Sequence, residues 1–294
     1  MRIATWNVNS VKQRIPRLLP WLDERAPDVV CLQETKVSDE AFAELLGDEL
    51  AARGYRFAHV GQGQWNGVAL LSRVGLDDVV EAIPDVPGFP DPAGPPEGRA
   101  VSARCGGLRI WSVYVPNGRE VDSEHYRYKL AWLERLRAAV APEAAQTMVG
   151  GDYNIVPADA DVFDPAALIG HTHVTPAERA ELSGLLELGM VDLQRAHWPD
   201  EQFYSYWDYR AGMFHRNLGM RIDLIVAGDP IAERVQAAWV DRQARKGTKP
   251  SDHAPVIVDL DAAPDGDVGP MVPPPSNPAT PKSGSVKLPH SIAD

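Results

Sequence analysis

Apolar residues fall in short continuous runs separated by polar, helix-spaced stretches. Strands are expected at Ile3–Val8, Asp28–Gln33, Tyr55–Val60, Gly67–Ser72, Val101–Arg104, Leu108–Val115, Thr147–Asp152, Ile222–Ala227 and Ala254–Leu260. Several of these runs are apolar at every position, the pattern of strands covered on both faces. Helical spacing predicts helices over 12–25, 39–52, 123–140 and 176–188. The last opens with Thr175-Pro176-Ala177-Glu178, a capping box with proline at the first helical position. So many strands among so few helices predict stacked sheets flanked by helices rather than one doubly wound sheet. Two connections are long: 84–98 is rich in proline and glycine, and 155–174 has little regular pattern. Such loops in a compact domain are either functional or surface excursions. No short-period solenoid repeat is present.

Composition narrows the class. The chain has 294 residues, 44% hydrophobic and 24% charged, which is globular. It holds no apolar run of 18 residues, so no membrane span and no membrane partner are expected. The N-terminus lacks the basic and apolar regions of a secretory signal. Cys31 and Cys105 are the only cysteines, which excludes a disulfide scaffold and a four-cysteine zinc site; a cytoplasmic location is expected. Residues 262–294 hold eight prolines and few large apolar side chains. That composition cannot offset its ordering entropy, so a working domain over 1–261 and a flexible Pro-rich tail over 262–294 are expected. A monomer is expected.

The net charge of −12 argues against a protein that coats nucleic acid nonspecifically. Its distribution is uneven. Residues 99–137 carry Arg99, Arg104, Arg109, Arg119, Arg127, Lys129, Arg135 and Arg137 against Glu120, Asp122, Glu124 and Glu134. Residues 242–249 carry Arg242, Arg245, Lys246 and Lys249 with no acid. A local basic rim is therefore open to this chain, as is plain solvated surface charge.

The candidate chemistry gathers at strand ends: Trp6-Asn7-Val8-Asn9, Gln33-Glu34, Gly151-Asp152-Tyr153-Asn154 and Ser251-Asp252-His253. Each alone reads equally as a turn or a cap. Stacked sheets collect such ends at one rim, where Asn, Asp and Glu oxygens make a hard site for Mg²⁺. Asp223 differs, because it interrupts the apolar strand Ile222-Asp223-Leu224-Ile225 and a buried carboxylate needs a partner. His253 is a natural one. His171 and His173 form His-x-His without a third ligand nearby, and loop packing is the better reading.

These pieces, with Leu32-Gln33-Glu34-Thr35-Lys36, Tyr114-Val115-Pro116-Asn117-Gly118 and Arg221-Ile222-Asp223, occur in order from Met1 to about Leu260. Together they resemble the exonuclease III family of class II abasic-site endonucleases, within the endonuclease/exonuclease/phosphatase superfamily. The bacterial members are matched further by Asp159–Pro165 and Thr172-His173-Val174-Thr175-Pro176. The resemblance implies an α/β fold, a four-layer α/β/β/α sandwich of two mixed sheets like that of deoxyribonuclease I, with the site at one rim. It implies cleavage of DNA 5′ to abasic sites, removal of nucleotides or blocking groups from 3′ ends, and dependence on Mg²⁺ or Mn²⁺.

Roles carry over by position. Glu34 matches the glutamate that binds the metal, with Asp252 nearby, and Asn7, Asp152 and Asn154 border that ion. Asp152 matches the carboxylate that positions or deprotonates water, and Asn154 an amide donor to the phosphate or that water. His253 matches the imidazole on the phosphate, held by Asp223, and Tyr114 a tyrosine near the scissile phosphate. Asn9 stands where some relatives have aspartate, which removes one possible metal carboxylate. Asn117 has two readings, phosphate contact or turn, and Arg119, Lys246 and Lys249 are candidates for the DNA rim. The aromatic stretch 198–214 also has two, core or sugar pocket. Tyr206, Trp207, Met220 and Ile222 are the candidates for that pocket, and Met220, where some relatives have tryptophan, makes it more permissive. Two rivals use the same residues otherwise: a superfamily phosphatase of small phosphorylated substrates, and a DNA-binding module with a decayed site. Retention of Asn7, Glu34, Asp152, Asn154, Asp223, Asp252 and His253 together argues against decay.

Overall fold

The computed structural model describes residues 1–266 and 268–272. The first part of the chain forms β1 (Arg2–Asn7), α1 (Val11–Arg25), β2 (Val29–Gln33), α2 (Asp39–Ala52), β3 (Arg56–Gln62), β4 (Trp65–Ser72) and β5 (Asp77–Val80). The middle adds β6 (Ala100–Cys105), β7 (Leu108–Tyr114), α3 (Glu124–Val140), β8 (Thr147–Asp152) and α4 (Pro176–Leu186). The rest adds β9 (Met190–Asp192), α5 (Leu193–His197), β10 (Asp223–Gly228), α6 (Asp229–Ala232), β11 (Val235–Val240) and β12 (Val256–Leu260).

The four expected helices form, three of them behind side-chain caps. Ser38 accepts from the Ala41 amide at 3.2 Å, with Asp39 and Glu40 in the first turn of α2. Ser123 caps α3 through the Tyr126 amide at 3.1 Å. The Thr175–Glu178 box closes in both directions at the start of α4. All nine expected strands form. Three more were not marked by pattern. The Ala237-Ala238 pair in β11 lacks the branched side chains of a strand, β5 is an acidic exposed edge, and β9 has only three residues.

The strands make two mixed six-stranded sheets, ordered β11-β12-β1-β2-β4-β3 and β5-β6-β7-β8-β10-β9. Each has one parallel pair, β1–β2 and β7–β8, joined across α1 and α3. The sheets stack face to face over a core that includes Ile3, Cys31, Leu70, Val101, Ile110, Met148, Ile225 and Val258. α1 and α2 cover the outer face of the first sheet around Trp6, Trp21, Leu32 and Phe42. α3 and α4 cover the second around Trp132, Leu136, Val149 and Leu182. These are the four layers α/β/β/α. Register then sets the rim: Tyr114 pairs with Asp152, Asp152 with Asp223, and Asn7 with Gln33.

The stretch expected to begin a tail at 262 comes back to the domain. Val240 donates its amide to Pro270 O at 3.0 Å, and Val272 donates to Val240 O at 2.9 Å. Met271 is buried in the core between the sheets. The remainder of that expected tail, 273–294, lies outside the described residues. Among the described residues no helix is long and apolar enough to cross a membrane.

Candidate active site

The strand ends meet at one rim of the sandwich. Asn7, at the end of β1, donates from Nδ2 to Glu34 Oε1 at 2.7 Å and to Asp152 Oδ2 at 3.0 Å. One amide thus ties a carboxylate of each sheet. The Asn7 side-chain oxygen accepts from the Asn9 amide at 3.0 Å. Glu34 Oε2 pairs with Lys36 Nζ at 2.7 Å, and Lys36 also donates to Asn9 Oδ1 at 2.7 Å. Burial alone would raise the Glu34 pKa, but Lys36, Asn7 and His253 outweigh it and hold the carboxyl below its ordinary value.

Asp152 is buried between three partners. Its Oδ1 accepts from the Asn154 amide at 2.9 Å, and its Oδ2 lies 3.8 Å from His253 Nε2. Burial and the neighbouring Asp223 push its pKa up to about 7 against the opposing charge of His253. His253 Nδ1 faces Asp223 Oδ2 at 2.8 Å. Burial disfavours its charge, yet Asp223, Asp152 and Asp252 prevail and raise its pKa to about 10. The imidazole is therefore a cation whose Nε2–H points at the Asp152 side of the cavity. The loop that carries it is sewn to β1: Ser251 Oγ donates to Asn7 O at 2.7 Å and Trp6 Nε1 to His253 O at 3.2 Å.

A cavity of about 360 Å³ opens here, lined among others by Glu34, Tyr114, Asn117, Arg119, Asp152 and Asn154. Its wall continues past His253 to Tyr206, Met220 and Ile222. Met220 and Ile222 pack with Val156, Val162 and Leu168 as a small apolar cluster, and the Tyr206 ring sits 4.9 Å from that of His253. Tyr114 faces Glu34, and burial with that charge lifts its hydroxyl pKa well above the ordinary value. The Arg99 guanidinium covers its ring at 4.8 Å.

The donors suit a small divalent cation. The carboxylate oxygens of Glu34 and Asp152 and one His253 nitrogen lie within 4.8 Å of one another. His253 Nδ1 is already held by Asp223, and the carboxylate oxygens are the hard set open to a divalent cation. Asp252 stands one residue out, linked through Asn9 Nδ2 at 3.1 Å. The Asn7 oxygen is turned to the Asn9 amide, so Asn7 holds the two carboxylates in place.

Not every sequence candidate reaches the cavity. Trp207 is fully buried, edge-on to Phe214, and supports the loop from within. Arg242 and Arg245 are buried over the Phe214 ring at 4.1 and 4.9 Å, so they brace the rim rather than extend from it. Lys246 and Lys249 are exposed beside them. Pattern alone did not mark Lys36 or His173 as part of the site. His173 is buried, lines the cavity and faces Asn154 Oδ1 with Nε2 at 3.0 Å. Packing was the right reading of that histidine, and what it packs is the site itself. Of the sixteen non-glycine residues at positive φ among those described, Asn9, Glu34, Lys36, Arg119, Asn154 and His173 lie at or beside the rim. Such strain persists where surroundings over-determine it, as at reactive sites.

Residues 4–253 match the Endonuclease/Exonuclease/phosphatase family. The chain is 30% identical to exodeoxyribonuclease III of Haemophilus influenzae over 274 residues, covering 87% of this chain and 98% of that protein. It is 28% identical to the exodeoxyribonuclease of Bacillus subtilis over 263 residues, with coverage of 87% and 98%. Among solved structures it is similar to an AP endonuclease from Archaeoglobus fulgidus, at 36% identity and a TM-score of 0.82. It is equally similar to the 3′ phosphatase NExo from Neisseria bound to product DNA hairpin, at 36% and 0.83. Each covers 89% of this chain and 100% of that structure. With its fold, rim and motifs in register with these proteins, the chain belongs to the Endonuclease/Exonuclease/phosphatase family, in its exonuclease III and AP endonuclease branch, and is a hydrolytic nuclease.

Proposed function

We propose that this protein is a Mg²⁺- or Mn²⁺-dependent phosphodiesterase of DNA repair that cleaves 5′ to abasic sites and clears nucleotides or blocking groups from 3′ ends. One observation carries the reading. The Asp152 carboxylate and the His253 imidazolium face each other at 3.8 Å in a cavity that runs on to the apolar wall of Tyr206, Met220 and Ile222. Water-handling group, phosphate donor and a place for a sugar without its base thus adjoin.

Asp152, held by the Asn7 and Asn154 amides, orients the attacking water and takes its proton. His253, kept charged by Asp223, donates from Nε2 to a phosphoryl oxygen. Asn154 and Asn117 present amides to the phosphate, and Tyr114 closes that side. Glu34 and Asp152 would hold the divalent cation, which supplies charge neutralisation at the phosphate and the leaving oxygen. DNA is gripped on a local basic rim, with Arg119 in the cavity wall and Lys246 and Lys249 beyond it.

The test is incubation with three substrates, each with and without Mg²⁺: an abasic duplex, a 3′-phosphorylated duplex and an inositol phosphate. Metal-dependent turnover of both DNAs is expected. Turnover of the inositol phosphate alone would overturn the reading.

A further inference from the structure

Behind the Asn117 and Asn154 side of the site lies an ion pair removed from solvent. Lys129 on α3 and Glu178 on α4 are wholly buried and meet at 2.5 Å. The three ammonium protons of Lys129 are all used. They go to Glu178 Oε1, to the Asn154 carbonyl at 2.6 Å and to the Asn117 carbonyl at 3.2 Å. Glu178 Oε1 also accepts from Thr172 Oγ1 at 2.6 Å and from the His173 amide at 2.9 Å. Its Oε2 accepts the Thr175 amide and hydroxyl at 3.0 and 2.8 Å. One pair therefore joins two helices to two loops, the one carrying Asn117 and the one carrying Asn154 and His173.

His173 completes the set. Burial and the Lys129 charge drive its pKa down to about 3, so the ring is neutral. Asn154 Nδ2 donates to Val115 O at 3.0 Å, which makes Oδ1 the acceptor from His173 Nε2–H. The Asn154 amide is thus locked from its backbone and from both ends of its side chain.

Glu178 also closes the cap of α4, but stability alone does not account for a buried charge pair. Taking two charges out of water costs about what their attraction returns, and apolar replacements of similar shape are commonly neutral or stabilising. The backbone it anchors is costly by itself. Asn154 sits at φ +49°, and Gly118, after Asn117, at φ +91°, where a Cβ would lie 2.7 Å from Thr172 Oγ1.

We propose that Lys129 and Glu178 are positioning residues for the hydrolytic step, holding the Asn154 and Asn117 amides at the place of the scissile phosphate. The inference rests on the proposed role of Asn154 at the phosphate or the attacking water. Neither side chain lines the cavity, so their removal should be felt in turnover rather than in substrate affinity.

The experiment compares the full chain with the double variant Lys129→Met/Glu178→Leu and with Asn154→Ala. Thermal midpoint, kcat and KM are measured on a 3′-phosphorylated duplex with Mg²⁺. Assayed well below its midpoint, which loss of the α4 cap lowers, the double variant is expected to change KM less than about threefold while kcat falls about 10–100-fold, the usual cost of removing an orienting partner. Asn154→Ala should lose at least as much. If Asn154→Ala falls while the double variant keeps wild-type kcat, the positioning role alone is overturned. If both keep wild-type kcat, the role of Asn154 falls with it. A drop in kcat matched by a rise in KM shows a merely structural pair and also overturns the proposal. Should the double variant not fold, Glu178→Gln is judged by the same criteria.

Discussion

At the scale of the residue, the proposed chemistry turns on Asp152 and His253, whose protonation states are set by opposite means. Asp152 is lifted by burial, and His253 is held charged by Asp223 against burial. Asp152→Asn keeps the shape and one of the two accepted bonds, from Asn7 Nδ2 or from the Asn154 amide, but cannot take a proton. Its kcat should fall about 10²–10⁴-fold while affinity for the abasic duplex is retained, and a variant with more than about a tenth of wild-type rate would contradict the role. Asp223→Asn tests the other half. Without the carboxylate the charged imidazole is deprived of its chief support, so its pKa falls from about 10. Activity that needs the cation then fails at lower pH, and the alkaline limb of kcat/KM against pH moves down. An unmoved limb means that another group sets it. Asn7, Glu34, Asp152, Asp223 and His253 were legible in the sequence because strand ends and an acid within an apolar strand are local signals. Lys36 and His173 were not. Lys36 is set over Glu34 by its bond to Asn9, and His173 enters the site through Asn154, in contacts that span 27 and 19 residues.

At the scale of the element, helices carried the plainest signal, since their caps are written in consecutive residues. Ser38, Ser123 and Thr175 start helices where the pattern placed them. β11 shows the limit, because Val-Gln-Ala-Ala-Trp-Val becomes a strand only by pairing with β12. The segment between these two strands is also where charge was read too simply. Arg242 and Arg245 pack over aromatic rings. Arg17 of α1 ties the carbonyls of Ala244, Lys246 and Thr248 at 2.8, 2.5 and 3.0 Å. The loop is thereby stiffened with Lys246 and Lys249 outward, a form suited to a phosphate backbone. Lys246→Ala with Lys249→Ala should weaken DNA binding and leave saturating kcat in place. The magnitude of the salt slope should fall by about 0.9 for each phosphate no longer neutralised. Unchanged affinity and slope would make these lysines ordinary solvated charges.

At the scale of the whole molecule, two sheets deliver their strand ends to one rim, and a single amide, Asn7, links a carboxylate from each. The site therefore depends on the sheets staying stacked. Met271 adds to that core from beyond the expected domain boundary. Met271→Ala should cost about 2–5 kcal/mol by denaturant unfolding, whereas deletion of 273–294 should leave stability unchanged. Stability unaffected by Met271→Ala would mean that 268–272 adds nothing to the domain. The return of 268–272 to the domain is not legible in composition, because one methionine in a proline-rich stretch carries no local sign of burial. The proposed activity is decided by product analysis on a duplex with one abasic site, labelled at the 5′ end of the damaged strand. With Mg²⁺, the expected outcome is one cut 5′ to the site, a product ending in a 3′-hydroxyl that a polymerase extends, and no product in EDTA. Cleavage that survives EDTA, or a 3′ end carrying the unsaturated aldehyde of β-elimination, would contradict it.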